Sequence, residues 1–185
     1  MNPTALRNAE RDKYVEAYKH KTYAMNTRKQ QVRTLIEMGP CEGSYLDIGC
    51  GRGESLEMAF EAGYDKVIGT EVVPALIKPP SIVHAWGHEL PFDNDEFDFV
   101  TCFDVLEHVL PSDEIRVLQE IRRVAKDRVA FTISNKSCVY QGVELHINRL
   151  PYVVWDSIIR HMFEDWAVAR GRATCHGNES WECWR

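Results

Sequence analysis

The chain predicts an α/β fold, an open sheet whose strands alternate with helices, and two observations carry that expectation. Short apolar runs bounded by glycine, proline and acidic residues recur along the chain, and segments with helical spacing separate them. In the first such pair, Tyr45-Leu46-Asp47-Ile48-Gly49-Cys50-Gly51-Arg52-Gly53-Glu54-Ser55-Leu56, an apolar strand breaks into glycines at alternating positions and re-emerges as a helix. Strand, tight turn and helix make a ligand cradle. Glycine admits positive φ and close approach of a bound group to the main chain, while free N–H groups at the helix start face that group. Asp47 at the strand end repels phosphate and suits a ligand carrying an ammonium group. Dinucleotide-binding chains share the three-glycine theme, so the loop alone leaves two ligand classes open.

Composition bounds the rest. At 185 residues, 44% hydrophobic and 27% charged, the chain reads as one ordinary globular domain with a core of its own. A formal net charge of −6 argues against holding nucleic acid by bulk electrostatics, while leaving room for a local basic patch. No apolar run is long enough to span a bilayer and the first residues lack a signal-peptide core, so the expected location is the cytoplasm, away from membranes. Cys41, Cys50, Cys102, Cys138, Cys175 and Cys183 stand apart without a C-x-x-C pair. That spacing favours reduced thiols over disulfides or zinc, and no metal site is expected.

Residues 4–38 predict two helical segments broken near Asn26-Thr27. The second, 28–38, carries Val32, Leu35 and Ile36 on one face and ends before Gly39-Pro40. Past the glycine turn, residues 54–62 predict a helix stopped by Gly63, and 66–71 the second strand. Glu71 follows Gly53 by roughly 18 residues, near the offset of about 20 at which an acid ending the second strand accepts hydrogen bonds from ribose hydroxyls. The prolines within 72–80 trim the next crossover to a loop or single turn. Residues 82–85 predict the third strand, 99–103 the fourth and 128–134 the fifth. Between the last two lies a helix from Ser112, read as its N-cap, to about Ala125, with a short turn at Lys126-Asp127. Pro151 starts a helix over 152–162, and the tail supplies two strands, about 166–172 and 180–185, joined by a Cys-His-Gly-Asn turn.

Two further blocks narrow the reading: Leu90-Pro91-Phe92, Asn94, Phe97-Asp98 and Val100, then Asp104-Val105-Leu106-Glu107-His108-Val109. With Asp47, Gly49, Gly51 and Gly53 they resemble the class I S-adenosylmethionine-dependent methyltransferases, in particular the type 11 group of small-molecule enzymes. The resemblance covers roughly residues 43–185. It implies a Rossmann-like three-layer sandwich whose seven-stranded, mostly parallel sheet has an antiparallel last strand, preceded over residues 1–42 by a helical extension that acts as a lid. It implies S-adenosyl-L-methionine as cofactor and S-adenosyl-L-homocysteine as product. Asp47, Gly49, Cys50, Gly51 and Gly53, then Glu71 and Val72, are the expected cofactor contacts. Gly87, His88 and Glu89 follow at the adenine edge, and Phe103, Asp104, Val105 and His108 on one wall. Tyr23 and Arg28, with Tyr18, are expected over the methionine moiety. Trp86 departs from the pattern, standing where the group usually has an acid facing the adenine amino group. At the end of the fourth strand, where DNA-base methylating enzymes carry a (D/N/S)-P-P-(Y/F) block or a Pro-Cys nucleophile, this chain has neither.

Residues 135–150 follow a central strand at the sheet edge where ligands bind, and include Glu144-Leu145-His146-Ile147-Asn148-Arg149. By resemblance to small-molecule methyltransferases with a histidine in this loop, His146 is a candidate general base, and His108 is a second catalytic candidate. The implied reaction is direct in-line transfer to a small-molecule acceptor, with the protein holding nucleophile, methyl carbon and sulfur in line. Two other classes stay open. One is a methyltransferase acting on tRNA or protein through Arg11, Lys13, Lys19, Lys21, Arg28 and Lys29; the other is a non-catalytic cofactor-binding subunit of a partner enzyme. The oligomeric state is not legible.

Overall fold

Runs rich in valine, isoleucine and phenylalanine suit strands covered on both faces, which is what a parallel sheet between helices requires. The computed structural model describes residues 2–20, 23, 29–173 and 178–185. Its strands are β1 (Ser44–Ile48), β2 (Lys66–Glu71), β3 (Ile82–His84), β4 (Phe97–Phe103), β5 (Ala125–Ser134), β6 (Val139–Tyr140), β7 (Val143–Glu144), β8 (Ala167–Arg170) and β9 (Asn178–Trp184). The helices are α1 (Pro3–Tyr18), α2 (Lys29–Glu37), α3 (Glu54–Ala62), α4 (Glu114–Val124) and α5 (Tyr152–Met162). The seven-stranded sheet runs β3-β2-β1-β4-β5-β9-β8. Its first five strands are parallel, β9 is antiparallel to β5, and β8 is antiparallel to β9. This is the expected Rossmann-like sandwich.

Period-two alternation sorts the core into its two halves. Tyr45 and Phe99 face α2 and α3, where they meet Val32, Leu35, Ile36, Leu56 and Ala59. Leu46, Ile48, Val100 and Cys102 face the other side, against Val117, Leu118 and Ile121 of α4 and Trp155 and Ile159 of α5. The helix α2 is therefore a layer of the sandwich, and α1 alone among the helices buries little, with Ala17 its one buried residue.

Three local expectations are corrected. Ser112 is not the cap of α4: it takes φ +82, Asp113 stands at the cap position, and the Asp113 carboxylate is occupied by Arg7 instead of the helix N–H groups. The turn expected at Lys126-Asp127 is strand. Ala125 already pairs with Phe97, a register shift before the Phe99↔Arg128 pair absorbs the extra residues, and Lys126 Nζ reaches Asp98 at 2.7 Å. The segment 135–150 also folds back on itself as the β6–β7 hairpin. The proline-rich crossover after β2 is one 3-10 turn, Pro74–Leu76, as its composition predicts.

Ile121, fully buried where α4 meets the sheet, tests that packing. Ile121→Ala should destabilise the fold by about 2–5 kcal/mol in urea unfolding at unchanged m-value. A loss below about 1 kcal/mol would place α4 outside the core.

Candidate active site

The strand order reverses between β1 and β4, and such a switch point opens a crevice at the carboxyl ends of the strands. A cavity of about 160 Å³ lies there. Its floor is Ile48, Gly49, Thr70, Glu71 and Val72; its sides are Ala85, Trp86, Gly87 and His88, and opposite them Asp104, Val105 and His108. Tyr14, Tyr18 and Tyr23 cover it.

The loop after β1 can only be built of glycine at two points. Gly49 sits at φ +71, and a Cβ there would fall 2.6 Å from Val105 Cγ2; Gly51 sits at φ +56, and a Cβ would fall 2.5 Å from the Tyr18 hydroxyl. The N–H of Gly51 donates to Glu71 Oε2 at 2.9 Å, while Val72 and Val73 N–H donate to Oε1 at 2.7 and 3.0 Å. Burial pushes the Glu71 pKa up, against the pull of these three donors. A carboxylate offers about four acceptor directions. One therefore remains for a ligand hydroxyl, and a second hydroxyl would take the place of a backbone N–H.

Asp47, expected from the sequence to face a ligand ammonium, is not among the residues lining the cavity. Its carboxylate is buried away from the cavity and accepts from Thr101 Oγ1 at 2.7 Å and from the Ser55 hydroxyl, pinning β1 to β4 and to the first turn of α3. Removal from water pushes its pKa up to about 7, against the pull of the two hydroxyls.

Cover over the cavity is fastened at three points along α1. Arg7 makes a two-pronged pair with Asp113, both contacts 2.7 Å. Tyr14 Oη lies 2.6 Å from His108 Nδ1 and donates to the Leu145 carbonyl at 3.0 Å. Arg52 of the glycine loop donates to the Tyr18 carbonyl at 2.8 Å. At the other side, the loop holding Leu90 and Phe92 is clamped by α4: Leu90 N–H donates to Glu120 Oε2 at 2.7 Å, and Arg123 donates to the carbonyls of Leu90 and Phe92.

Of the residues singled out from the sequence, Gly49, Glu71, Val72, Gly87, His88, Asp104, Val105, His108 and Tyr23 line the cavity. Asp47, Cys50, Gly51, Gly53, Glu89, Phe103 and His146 do not, although Gly51 reaches it through Glu71. Arg28 lies outside the described residues. His146, 4% exposed, stands behind His108, ring edge to face, with its Nδ1 2.7 Å from the Lys136 carbonyl. Sequence reasoning missed Arg7, Tyr14 and Arg52 as fasteners of the cover. Arg7 and Asp113 are 106 positions apart, and no local pattern links them.

Residues 46–133 match the model of a family described as the methyltransferase domain. An uncharacterized protein of Methanocaldococcus jannaschii is 32% identical over 67% of this chain and 50% of its own length. The demethylmenaquinone methyltransferase of Shouchella clausii is 32% identical over 60% of this chain and 50% of its own. The chain thus spans about half the length of the curated relatives it matches. Among solved structures, a 1,6-didemethyltoxoflavin-N1-methyltransferase of Burkholderia thailandensis, with that compound and S-adenosylhomocysteine bound, superposes over 100% of this chain and 91% of its own. Its TM-score is 0.73 at 16% identity, a likeness of fold.

Asp47 yields a pH test. Its pKa is about 7 in the folded chain against 3.8 for an unburied aspartate, so between those values the folded state holds the extra proton and stability falls as pH rises. The slope from one such group reaches about 1.4 kcal/mol per pH unit. Asp47→Asn removes it, so the variant should gain on the wild type from acid to neutral pH in paired urea titrations. Parallel stability profiles would show that Asp47 titrates as an exposed carboxyl.

Proposed function

We propose that this chain, whose residues 46–133 match the methyltransferase-domain family, transfers the methyl group of S-adenosylmethionine to a small-molecule acceptor by direct in-line displacement. The observation that carries this reading is the covered cavity at the switch point, with Glu71 at the end of β2 and bare glycine main chain beside it.

The residues present fit the cofactor. A side chain at Gly49 would run into Val105, so the loop keeps its space for a close-lying ligand. Glu71 would accept from the sugar hydroxyls, one on its remaining acceptor direction and one in exchange for a loop N–H. Trp86 and Gly87, on the cavity side formed after β3, would flank the adenine. When bound, S-adenosylmethionine supplies a methyl group already made electrophilic by its sulfonium. The chain's share is placement and exclusion of water: Tyr14, Tyr18 and Tyr23 cover the space in which the reacting atoms would be aligned. His108, on the wall opposite Trp86, places an imidazole on the cavity where it can orient the acceptor.

Cavity size and cover support a small acceptor over a macromolecule. Of the basic side chains that would hold RNA, the four described are paired with acids: Arg11 with Asp12, Lys13 with Glu10, Lys19 with Glu16, and Lys29 with Glu54; Lys21 and Arg28 lie outside the described residues. The named Shouchella and Burkholderia enzymes carry small organic acceptors in their names, which supports the same reading. No helix among the described residues is long and apolar enough to cross a membrane. Free thiols at Cys41, Cys50, Cys102, Cys138 and Cys183 support a reducing, cytoplasmic setting.

Calorimetry with S-adenosylhomocysteine tests the site. Glu71→Ala should weaken binding by about 10- to 100-fold, the worth of a hydrogen bond to a charged group, and Gly49→Val should abolish it. Unchanged affinity in both variants would move the cofactor elsewhere. In a screen with radiolabelled cofactor, label should enter a metabolite fraction; label confined to RNA or protein would reverse the assignment of acceptor.

A further inference from the structure

Behind His108, on the wall of the cavity, three side chains able to ligate a metal converge. Glu107 and His108 follow β4, His146 follows β7, and one ligand atom from each lies within 4.8 Å of the others. The imidazole rings meet edge to face, with centroids 4.6 Å apart. Glu107 is fully buried, His146 is 4% exposed, and His108 opens onto the cavity.

The groups around each ring select the tautomer that can ligate through Nε2. His146 Nδ1 lies 2.7 Å from the Lys136 carbonyl, which can only accept, so Nδ1 carries the proton and Nε2 presents a lone pair. His108 Nδ1 lies 3.0 Å from the Leu145 carbonyl, to which Tyr14 also donates. The same nitrogen lies 2.6 Å from Tyr14 Oη, and with the single Tyr14 proton on the Leu145 carbonyl, Nδ1 carries the ring's proton and Nε2 is the nitrogen that can ligate. Glu107 is oriented in turn: its Oε1 accepts from Ser134 N–H at 2.9 Å. Histidines donating their second N–H to backbone carbonyls, beside a hydrogen-bonded carboxylate, have the outer partners that metal ligands characteristically have.

We propose that Glu107, His108 and His146 bind a divalent first-row transition-metal ion, which in turn binds an oxygen of the methyl acceptor. Two imidazoles and one carboxylate without sulfur suit Zn²⁺, Mn²⁺, Co²⁺ or Fe²⁺ and leave coordination positions open. Ligand atoms around an ion at about 2.0–2.2 Å stand roughly 3–4 Å apart, so the cluster needs an adjustment of about an ångström to close on one. The acceptor class this implies is a hydroxyl compound, because a bound ion lowers the pKa of a coordinated hydroxyl and frees an oxyanion near neutral pH. The step balances: the hydroxyl proton leaves to solvent, the new oxygen–carbon bond forms as the carbon–sulfur bond breaks, and the electron pair stays on sulfur in neutral S-adenosylhomocysteine. The catalytic role rests on the methyl-transfer reading above; binding of the ion does not. Two of the ligands are adjacent and the third is 38 positions on from His108, so no metal-motif spacing announces the site.

Chelator-treated full-length protein, titrated with Co²⁺ alone, should bind one equivalent with visible d–d bands that Zn²⁺ displaces. In imidazole ¹⁵N spectra of the wild type, Zn²⁺ should shift Nε2 of His108 and His146 and leave the exposed His84 and His161 in place. His146→Asn and, separately, Glu107→Gln should each weaken Co²⁺ binding at least tenfold, with His146→Asn keeping the wild-type urea midpoint and affinity for S-adenosylhomocysteine. Unmoved His108 and His146 signals under excess Zn²⁺ would overturn the proposal without any substitution, leaving the three groups as a hydrogen-bonded cluster only. Wild-type Co²⁺ affinity in both variants would overturn it as well. Metal-free wild type that fails to bind S-adenosylhomocysteine would instead refute the methyl-transfer reading, since the Co²⁺ titration involves no cofactor.

Discussion

A carboxylate taken out of water must be met by donors or take up a proton, and Asp47 and Glu71 bring two of them to one edge of the sheet. Asp47 is satisfied by side-chain hydroxyls from β4 and α3, Glu71 by main-chain N–H groups from the glycine loop and from its own strand's exit. The loop is stitched to β2 a second time, because Gly49 and Cys50 N–H both donate to the Thr70 carbonyl, at 2.9 and 3.0 Å. Satisfying two buried acids this way leaves the loop no freedom to fold inward. The concavity beside it is thus a consequence of how charge is accommodated at the ends of β1 and β2.

The cover is held by a different kind of force. In α2 the residues Val32, Leu35 and Ile36 are fully buried, so moving that helix would open the core. In α1 the fastenings are polar: Arg7 with Asp113, Tyr14 with Leu145 and His108, Arg52 with the Tyr18 carbonyl. Each contact exchanges readily for water, and each stabilises the closed state by an amount of the order of 1–3 kcal/mol. Separating a helix attached in this way from the cavity would expose little of the sandwich's core.

Legibility in the sequence follows the range of the interactions. The strand–glycine–helix unit and Glu71 were readable because their determinants lie within some 25 consecutive residues, and the same locality made the proline-shortened crossover readable. Asp47 shows where motif reading stops. Its place beside the glycines suggested a ligand contact, but the Thr101 hydroxyl, 54 positions away, draws the carboxylate inward. Ser112 failed as a cap for a related reason: the better-placed Asp113 is engaged by Arg7 from the far end of the chain. His146 was found as a chemically loaded histidine in a loop, whereas its seat behind His108 depends on three backbone carbonyl and hydroxyl groups that no spacing rule links.

The cavity's surfaces come from two sources with unequal freedom to change. Strand ends β1, β2 and β4 are bound by register, Asp47 against Gly69 and Thr101, so altering their geometry would displace the sheet. Residues just past α1 and the β6–β7 hairpin instead hold each other: Tyr23 and Tyr140 rings meet at 5.2 Å, and His20 and Gln141 side chains at 3.0 Å. Val139 and Val143 of the hairpin are 62% and 42% exposed and add nothing to the core. Residues here can be replaced at little cost to folding, while those at the strand ends are constrained by both packing and buried charge. The histidines stand where the two meet: His108 projects from the strand side, and the carbonyls that orient His108 and His146 come from the segment containing the hairpin. A change in that segment would therefore reorient both histidines while leaving the strand ends that floor the cavity in place.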